Sequence, residues 1–146
     1  MSSGTERLSH SMEIKVLAVA LVEKDGRVLM RKKPAGSPPY KETWYIFGAT
    51  ITPEVSIDEA VKHEVKSKSG VDVTLGRRIS WDTEIKKDLD GVEKFFVYLD
   101  VICNYVDGEF KVGEGVEKLE WVEKNDLGKY DIVPPSRVLF EKLGYI

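Results

Sequence analysis

The chain has 146 residues, 42% of them hydrophobic, with 25 acidic and 22 basic side chains interspersed to a net charge of -3. That composition suits one globular domain with a single sizeable core. It excludes a basic nucleic-acid surface or a membrane surface as the main partner, and no apolar run reaches the length of a membrane span.

Residues 1–11 are polar and lack the apolar stretch of a signal peptide, so they read as a disordered leader or a tag remnant ahead of a single domain over 12–146. Glu13 to Glu23 is β-branched and nearly continuous in apolar character, which predicts a well-buried strand. Lys24-Asp25-Gly26 is a hairpin signal. Arg27 to Lys33 returns as a second strand, with Val28 and Met30 on one face and Leu29 on the other. Pro34 to Tyr40 holds three prolines and a glycine and is loop. Trp44 to Phe47 is a short aromatic strand. Ser56, with Glu59 three residues on, predicts a helix N-terminus; the helix runs over about 57–69 and stops at Gly70. Ile57, Val61 and Val65 recur at helical spacing and are expected to face the core. Val71 to Lys86 and Glu93 to Val106 read as long strands joined by the turn Asp88-Leu89-Asp90-Gly91. Cys103, the one cysteine, lies inside the second of these and reads as a buried core thiol, so no disulfide forms within the chain and a reducing cytoplasm fits. Lys118 to Val122 is a short strand, and Pro134-Pro135 precedes a last helix over about 136–143. One helix between strands and another at the end imply an α+β domain with helices packed on a mixed sheet.

The stretch Phe47-Gly48-Ala49-Thr50-Ile51-Thr52-Pro53-Glu54-Val55, followed by the helix and Ser69-Gly70-Val71, resembles the box of the Nudix hydrolase superfamily, Gly-x5-Glu-x7-Arg-Glu-(apolar)-x-Glu-Glu-x-Gly-(apolar). The entering strands, the tryptophan before the glycines, the Leu119-Glu120-Trp121-Val122 strand and the closing Pro-Pro helix also fit, so the resemblance covers nearly the whole domain. It implies an α/β/α sandwich with the box helix packed on a central mixed sheet. Anchored on Gly70-Val71, the box places His63 at the family's arginine, Glu64 on its glutamate, and Ser67 and Lys68 at the two later glutamates. Val55 then replaces the loop glutamate and Ala49 the first glycine. A second frame, Gly48 with Glu54, restores the loop spacing one residue out of step with the helix half.

In the family, as the resemblance implies, carboxylates on this helix face bind Mg2+ or Mn2+, which neutralises a diphosphate and activates water. Positions 64, 67 and 68 share one helix face. Here that face offers one carboxylate, one hydroxyl and one ammonium, with Glu64 and Lys68 spaced for an i,i+4 ion pair. Glu64 is therefore the candidate catalytic group and a weak metal ligand. Glu54, Glu114 and Glu117 are candidate substitute acids; Glu59 is accounted for by the helix cap, and Glu84 is a further acid of the same kind. Arg31, Lys32 and Lys33 read first as an edge-strand charge run, with phosphate attraction by Arg31 as the functional alternative. Lys68 is a candidate phosphate contact in place of the metal, and Trp44 the best candidate ligand wall among Tyr40, Trp44, Phe47 and Trp81.

Three functions remain open at this point. The favoured one is a Nudix-fold protein with a depleted box, binding a nucleotide or another phosphorylated small molecule with little or no hydrolysis. The second is an active metal-dependent hydrolase of nucleoside-diphosphate-linked substrates, and the third an interaction module on the same scaffold.

Overall fold

The computed structural model describes residues 12–146. The expected leader, 1–11, lies outside the described residues. The elements in order are β1 (Ile14–Lys24), β2 (Arg27–Lys32), β3 (Trp44–Tyr45), β4 (Phe47–Thr50), α1 (Ile57–Ser69), β5 (Asp72–Lys87), β6 (Glu93–Asp107), β7 (Lys118–Glu123), a 3-10 helix (Lys124–Lys129) and α2 (Pro134–Lys142). The two prolines at 134 and 135 fall inside the last helix rather than before it. They occupy its first positions, where a missing N–H breaks no helical hydrogen bond. The 3-10 helix was not expected, since its polar residues show no helical period; it is held by Leu127, which is fully buried.

The main sheet has the order β3-β2-β1-β6-β5, with β4 added on β1 and β7 on β2. β1 runs parallel to β6 from Ile14↔Phe95 to Glu23↔Asn104, and the other pairs are antiparallel. Asp25 and Gly26 both have positive φ, 50° and 77°, the two-residue turn that matches strand twist.

Alternation along β1 builds two cores. Ala18, Ala20 and Val22 join Leu29, Phe47, Cys103 and the α1 residues Val61 and Val65. Val19 and Leu21 join Val28, Met30, Ile46, Phe96 and the α2 residues Leu139 and Phe140. The near-continuous apolar run of β1 thus reports burial on both faces. Each helix covers one face, which makes the expected sandwich.

The Ser56 Oγ accepts from the Glu59 N–H at 3.1 Å, and Gly70 closes α1 at φ 80° with its N–H on the Lys66 carbonyl. The end of the helix is clamped further by the segment after β6. The N–H groups of Lys111 and Gly113 donate to the Ser69 and Lys68 carbonyls at 2.8 and 3.1 Å. A Cβ on Gly113 would stand 2.1 Å from the Ser67 carbonyl oxygen, so only glycine allows this approach. The start of the helix is different. Val61 and Val65 are fully buried as expected, but Ile57 is 40% exposed, because the first turn overhangs an open groove instead of the core.

Candidate functional site

The last residues of β2 were expected to be a solvated edge. β2 is instead an interior strand, flanked by β3 and β7. Arg31 is consequently only 7% exposed. Its Nε donates to the Ile46 carbonyl at 3.0 Å, and its guanidinium lies 3.9 Å from the Tyr45 ring centroid and 5.1 Å from that of Phe47. Burial lowers its pKa, opposed by Tyr45 and then by the carboxylate of Glu64; an arginine remains charged all the same. Lys32, between the two buried cations, points the other way and pairs with Glu117 at 3.3 Å.

Arg31 lines a cleft of about 200 Å³ whose floor includes Leu17 and Gly48 and whose walls include Tyr40, Tyr45 and Phe47. Two further cations stand in it, and both are engaged. Lys33 Nζ donates to the carbonyls of Ser37 and Tyr40, each at 2.6 Å, which folds the proline loop back over the cleft. Its pKa is lowered by burial. Lys86 Nζ donates to the Tyr40 hydroxyl at 2.8 Å and lies 3.5 Å from Glu84. Burial lowers its pKa too, with Glu84 opposing. Glu84 Oε1 accepts from both Tyr40 and Tyr98, each at 2.6 Å. Burial and these bonds push both phenols above their ordinary range, so they stay neutral donors. Among the described residues Arg31 has no carboxylate within ion-pairing distance, and its recorded hydrogen bond uses Nε alone.

The helix side of the site is sparse. Glu64 is half-buried on α1, close enough for its charge to act on Arg31. The spacing of Lys68 to Glu64 promised an ion pair, but Lys68 Nζ donates to the Glu114 carbonyl at 3.1 Å. The clamp on the helix end brings that carbonyl within reach, and it draws Lys68 away from Glu64. Ser67 Oγ donates to the Glu64 carbonyl, and His63 is exposed. Glu54 and Glu114 are exposed, and Glu117 serves Lys32. Among the described residues no three His, Cys, Asp or Glu side chains are grouped so as to hold a metal ion.

Trp44 packs edge-on against Tyr130, centroids 5.1 Å apart, and the cleft wall falls to its neighbours Tyr45 and Phe47. Trp81 is 78% exposed on a different face of the sheet. The Tyr40–Glu84–Tyr98 bridge escaped sequence reading, although one signal exists. Asp82, Glu84 and Lys86 alternate along β5 opposite Tyr98, Phe96 and Lys94, which marks a strand turning its charges inward.

No described helix is long and apolar enough to cross a membrane. Residues 12–143 match the family model described as NUDIX domain. The chain is 24% identical over 141 residues to the nucleoside triphosphatase NudI of Klebsiella pneumoniae (strain 342), spanning 92% of this chain and 100% of that protein. It is 27% identical over the same length to the NudI of Escherichia coli (strain K12), with the same coverage. Among solved structures it is similar to the MutT protein from Methanosarcina mazei Go1, with a TM-score of 0.73 at 20% identity over 92% of this chain and 95% of that one. It is also similar to an ADP-ribose pyrophosphatase from Streptococcus suis, with a TM-score of 0.65 at 18% identity over 90% and 87%. The two solved structures share the sheet and helix arrangement. The family match spans nearly all of the described chain, box helix and cleft included, and on that ground the protein belongs to the NUDIX domain family.

Proposed function

We propose that this cleft binds a nucleotide or another phosphorylated small molecule and that hydrolysis there is slow or absent. The carrying observation is Arg31: a buried guanidinium, oriented by Ile46 and two aromatic rings, facing a cleft with no carboxylate paired to it. Such a group is preorganised for a phosphate or diphosphate oxygen. The aromatic walls suit the flat part of a ligand.

The donor set argues against efficient metal chemistry. A magnesium ion binds through one or two carboxylates, with phosphate and water oxygens completing its shell. Glu64 meets only the lower bound, and the residues beside it on that face, Ser67 and Lys68, add a hydroxyl and a cation. Glu54, Glu114 and Glu117 do not join it in any metal-holding group. A cytoplasmic setting accords with the single buried thiol, Cys103, whose pKa burial pushes up to about 12.

A second reading, a working hydrolase, is favoured by one observation. The NudI relatives, named as nucleoside triphosphatases, match along their whole length. One experiment separates the two. The purified protein is incubated with nucleoside triphosphates, ADP-ribose and dinucleoside polyphosphates, with magnesium or manganese present. The binding reading expects ligand-dependent rises in Tm without product, and Arg31→Met weakens binding by roughly tenfold to a hundredfold. Metal-dependent turnover that Glu64→Gln abolishes establishes the hydrolase instead.

A further inference from the structure

We propose that Tyr40 sets the length of ligand that the cleft accepts. Latched to Glu84, it walls the cleft off from a second groove, so the site takes a compact phosphorylated molecule, such as a nucleoside mono- or diphosphate, and leaves no room for a second nucleoside. The inference rests on the phosphate-binding reading of the cleft and names the ligand class within it.

The cleft holds about 200 Å³, below the roughly 300–1,000 Å³ of sites that enclose a drug-sized ligand. Toward the end of β5, Pro38, Pro39, Tyr40 and Lys86 line the cleft and also a groove of about 390 Å³ that runs on to Lys87 and Leu89. That loop and that lysine are therefore the partition between the two spaces. On another flank, Tyr98 stands between the cleft and a pocket of about 140 Å³ beside Asp100. The hydroxyls of Tyr40 and Tyr98 donate to the same oxygen, Glu84 Oε1, each at 2.6 Å. One carboxylate thus fixes both partitions.

The partitions differ in what else holds them. Tyr98 belongs to β6, which is bonded to β1 on one side and β5 on the other, and it is buried. Tyr40 belongs to a loop. Among the described residues, the recorded hydrogen bonds that tie residues 34–42 to the far side of the cleft are those of the Tyr40 hydroxyl, given to Glu84 and received from Lys86 at 2.8 Å. The other anchor, Lys33, stands at the base of the loop itself and holds the Ser37 and Tyr40 carbonyls. Tyr40 is therefore the partition that can move, and its hydroxyl is the latch. Bonds to charged groups are the strong ones, so the latched arrangement is the favoured one. A ligand long enough to cross into the outer groove has to break them. Selectivity then comes from a cost imposed on the longer ligand, not from extra contacts to the shorter one.

The test is isothermal titration calorimetry with ADP and diadenosine tetraphosphate as probes, EDTA being present so that neither is turned over. The parent is expected to bind the dinucleotide no more than about twofold tighter than ADP, the statistical factor for two equivalent ends. Tyr40→Ala joins the two spaces and is expected to shift that ratio roughly tenfold toward the dinucleotide. The ratio cancels the loss of the Tyr40 ring as a wall for ADP. Tyr40→Phe keeps the ring and drops the hydroxyl, so it tests the latch without a ligand. Trypsin is expected to cleave it after Lys41 severalfold faster than the parent, with an unchanged circular dichroism spectrum. A parent that already favours the dinucleotide by about tenfold, a ratio unmoved in Tyr40→Ala, or a Tyr40→Phe chain cut no faster than the parent overturns the proposal and leaves phosphate binding in place. Binding of neither probe to the parent overturns the phosphate-binding reading, and this inference with it.

Discussion

The two faces of β5 contrast sharply. Toward α2 and the cleft it presents Asp82, Glu84 and Lys86, each partly buried and each bonded. Toward α1 it presents Trp81, Thr83 and Ile85, all exposed. A strand with one solvated face normally hides its apolar side and exposes its charges. Here the pattern is inverted, and the inversion is informative on both counts. Charges are turned inward where they build a polar site, and apolar groups are left outward where no element of the described chain covers them.

The largest expected effect comes from the inner face. Glu84→Ala leaves two tyrosine hydroxyls and Lys86 without their shared acceptor. Hydrogen bonds to a charged group contribute roughly 1.5–3 kcal/mol each and do not simply add, so a loss of about 2–4 kcal/mol is expected in urea unfolding. A loss under about 1 kcal/mol would mean that water replaces the carboxylate and that the bridge is not structural.

The next effect is a pH slope. Asp100 lies buried on the same side of the sheet, accepts from Ser80 at 2.9 Å, and sits beside Asp82, which Lys142 holds at 2.7 Å. Burial, aided by Asp82 and opposed by Ser80, pushes its pKa up to about 7. The unfolded carboxyl titrates near 4. Between those values the folded state keeps a proton that the unfolded chain has lost. This contribution to stability is full below about pH 4 and is lost as the pH rises through about 7. Asp88 acts in the opposite sense: hydrogen bonds from Lys15 and Lys94 hold its carboxyl below the usual range, so its contribution is lost only on acidification below about pH 4. Asp100→Asn is therefore expected to flatten the dependence of the urea midpoint between about pH 4 and about pH 7. An unchanged slope would remove Asp100 from the account.

The smallest effect belongs to the outer face. Trp81→Ser should change the stability of the isolated chain by no more than about 0.5 kcal/mol, because the side chain is already in water. A loss near ~2 kcal/mol in urea unfolding would show instead that the indole supports its own sheet.

Local features were legible because their causes are local. Ser56 and Gly70 bracket α1 through hydrogen bonds and a positive φ that neighbouring residues dictate. Asp25-Gly26 does the same for the first hairpin. The paucity of carboxylates at 64, 67 and 68 was readable from helical spacing alone. The burial of Arg31 is not legible in the sequence for a physical reason: whether the end of a strand is an edge depends on which strands flank it, and β7 arrives from a distant part of the chain. The partner of Lys68 is hidden in the sequence similarly, since the carbonyl it bonds lies 46 residues away.

Spacing by itself determined the helix limits and which side chains share the face of α1, since each follows from contacts within a few residues, while the box was legible only as a resemblance to a family. Only the tertiary structure decided which cations line the cleft, which acid is consumed by two tyrosines, and which face of β5 is left exposed. Those outcomes depend on strand order and on how far α1 extends over the sheet, and long-range packing controls both.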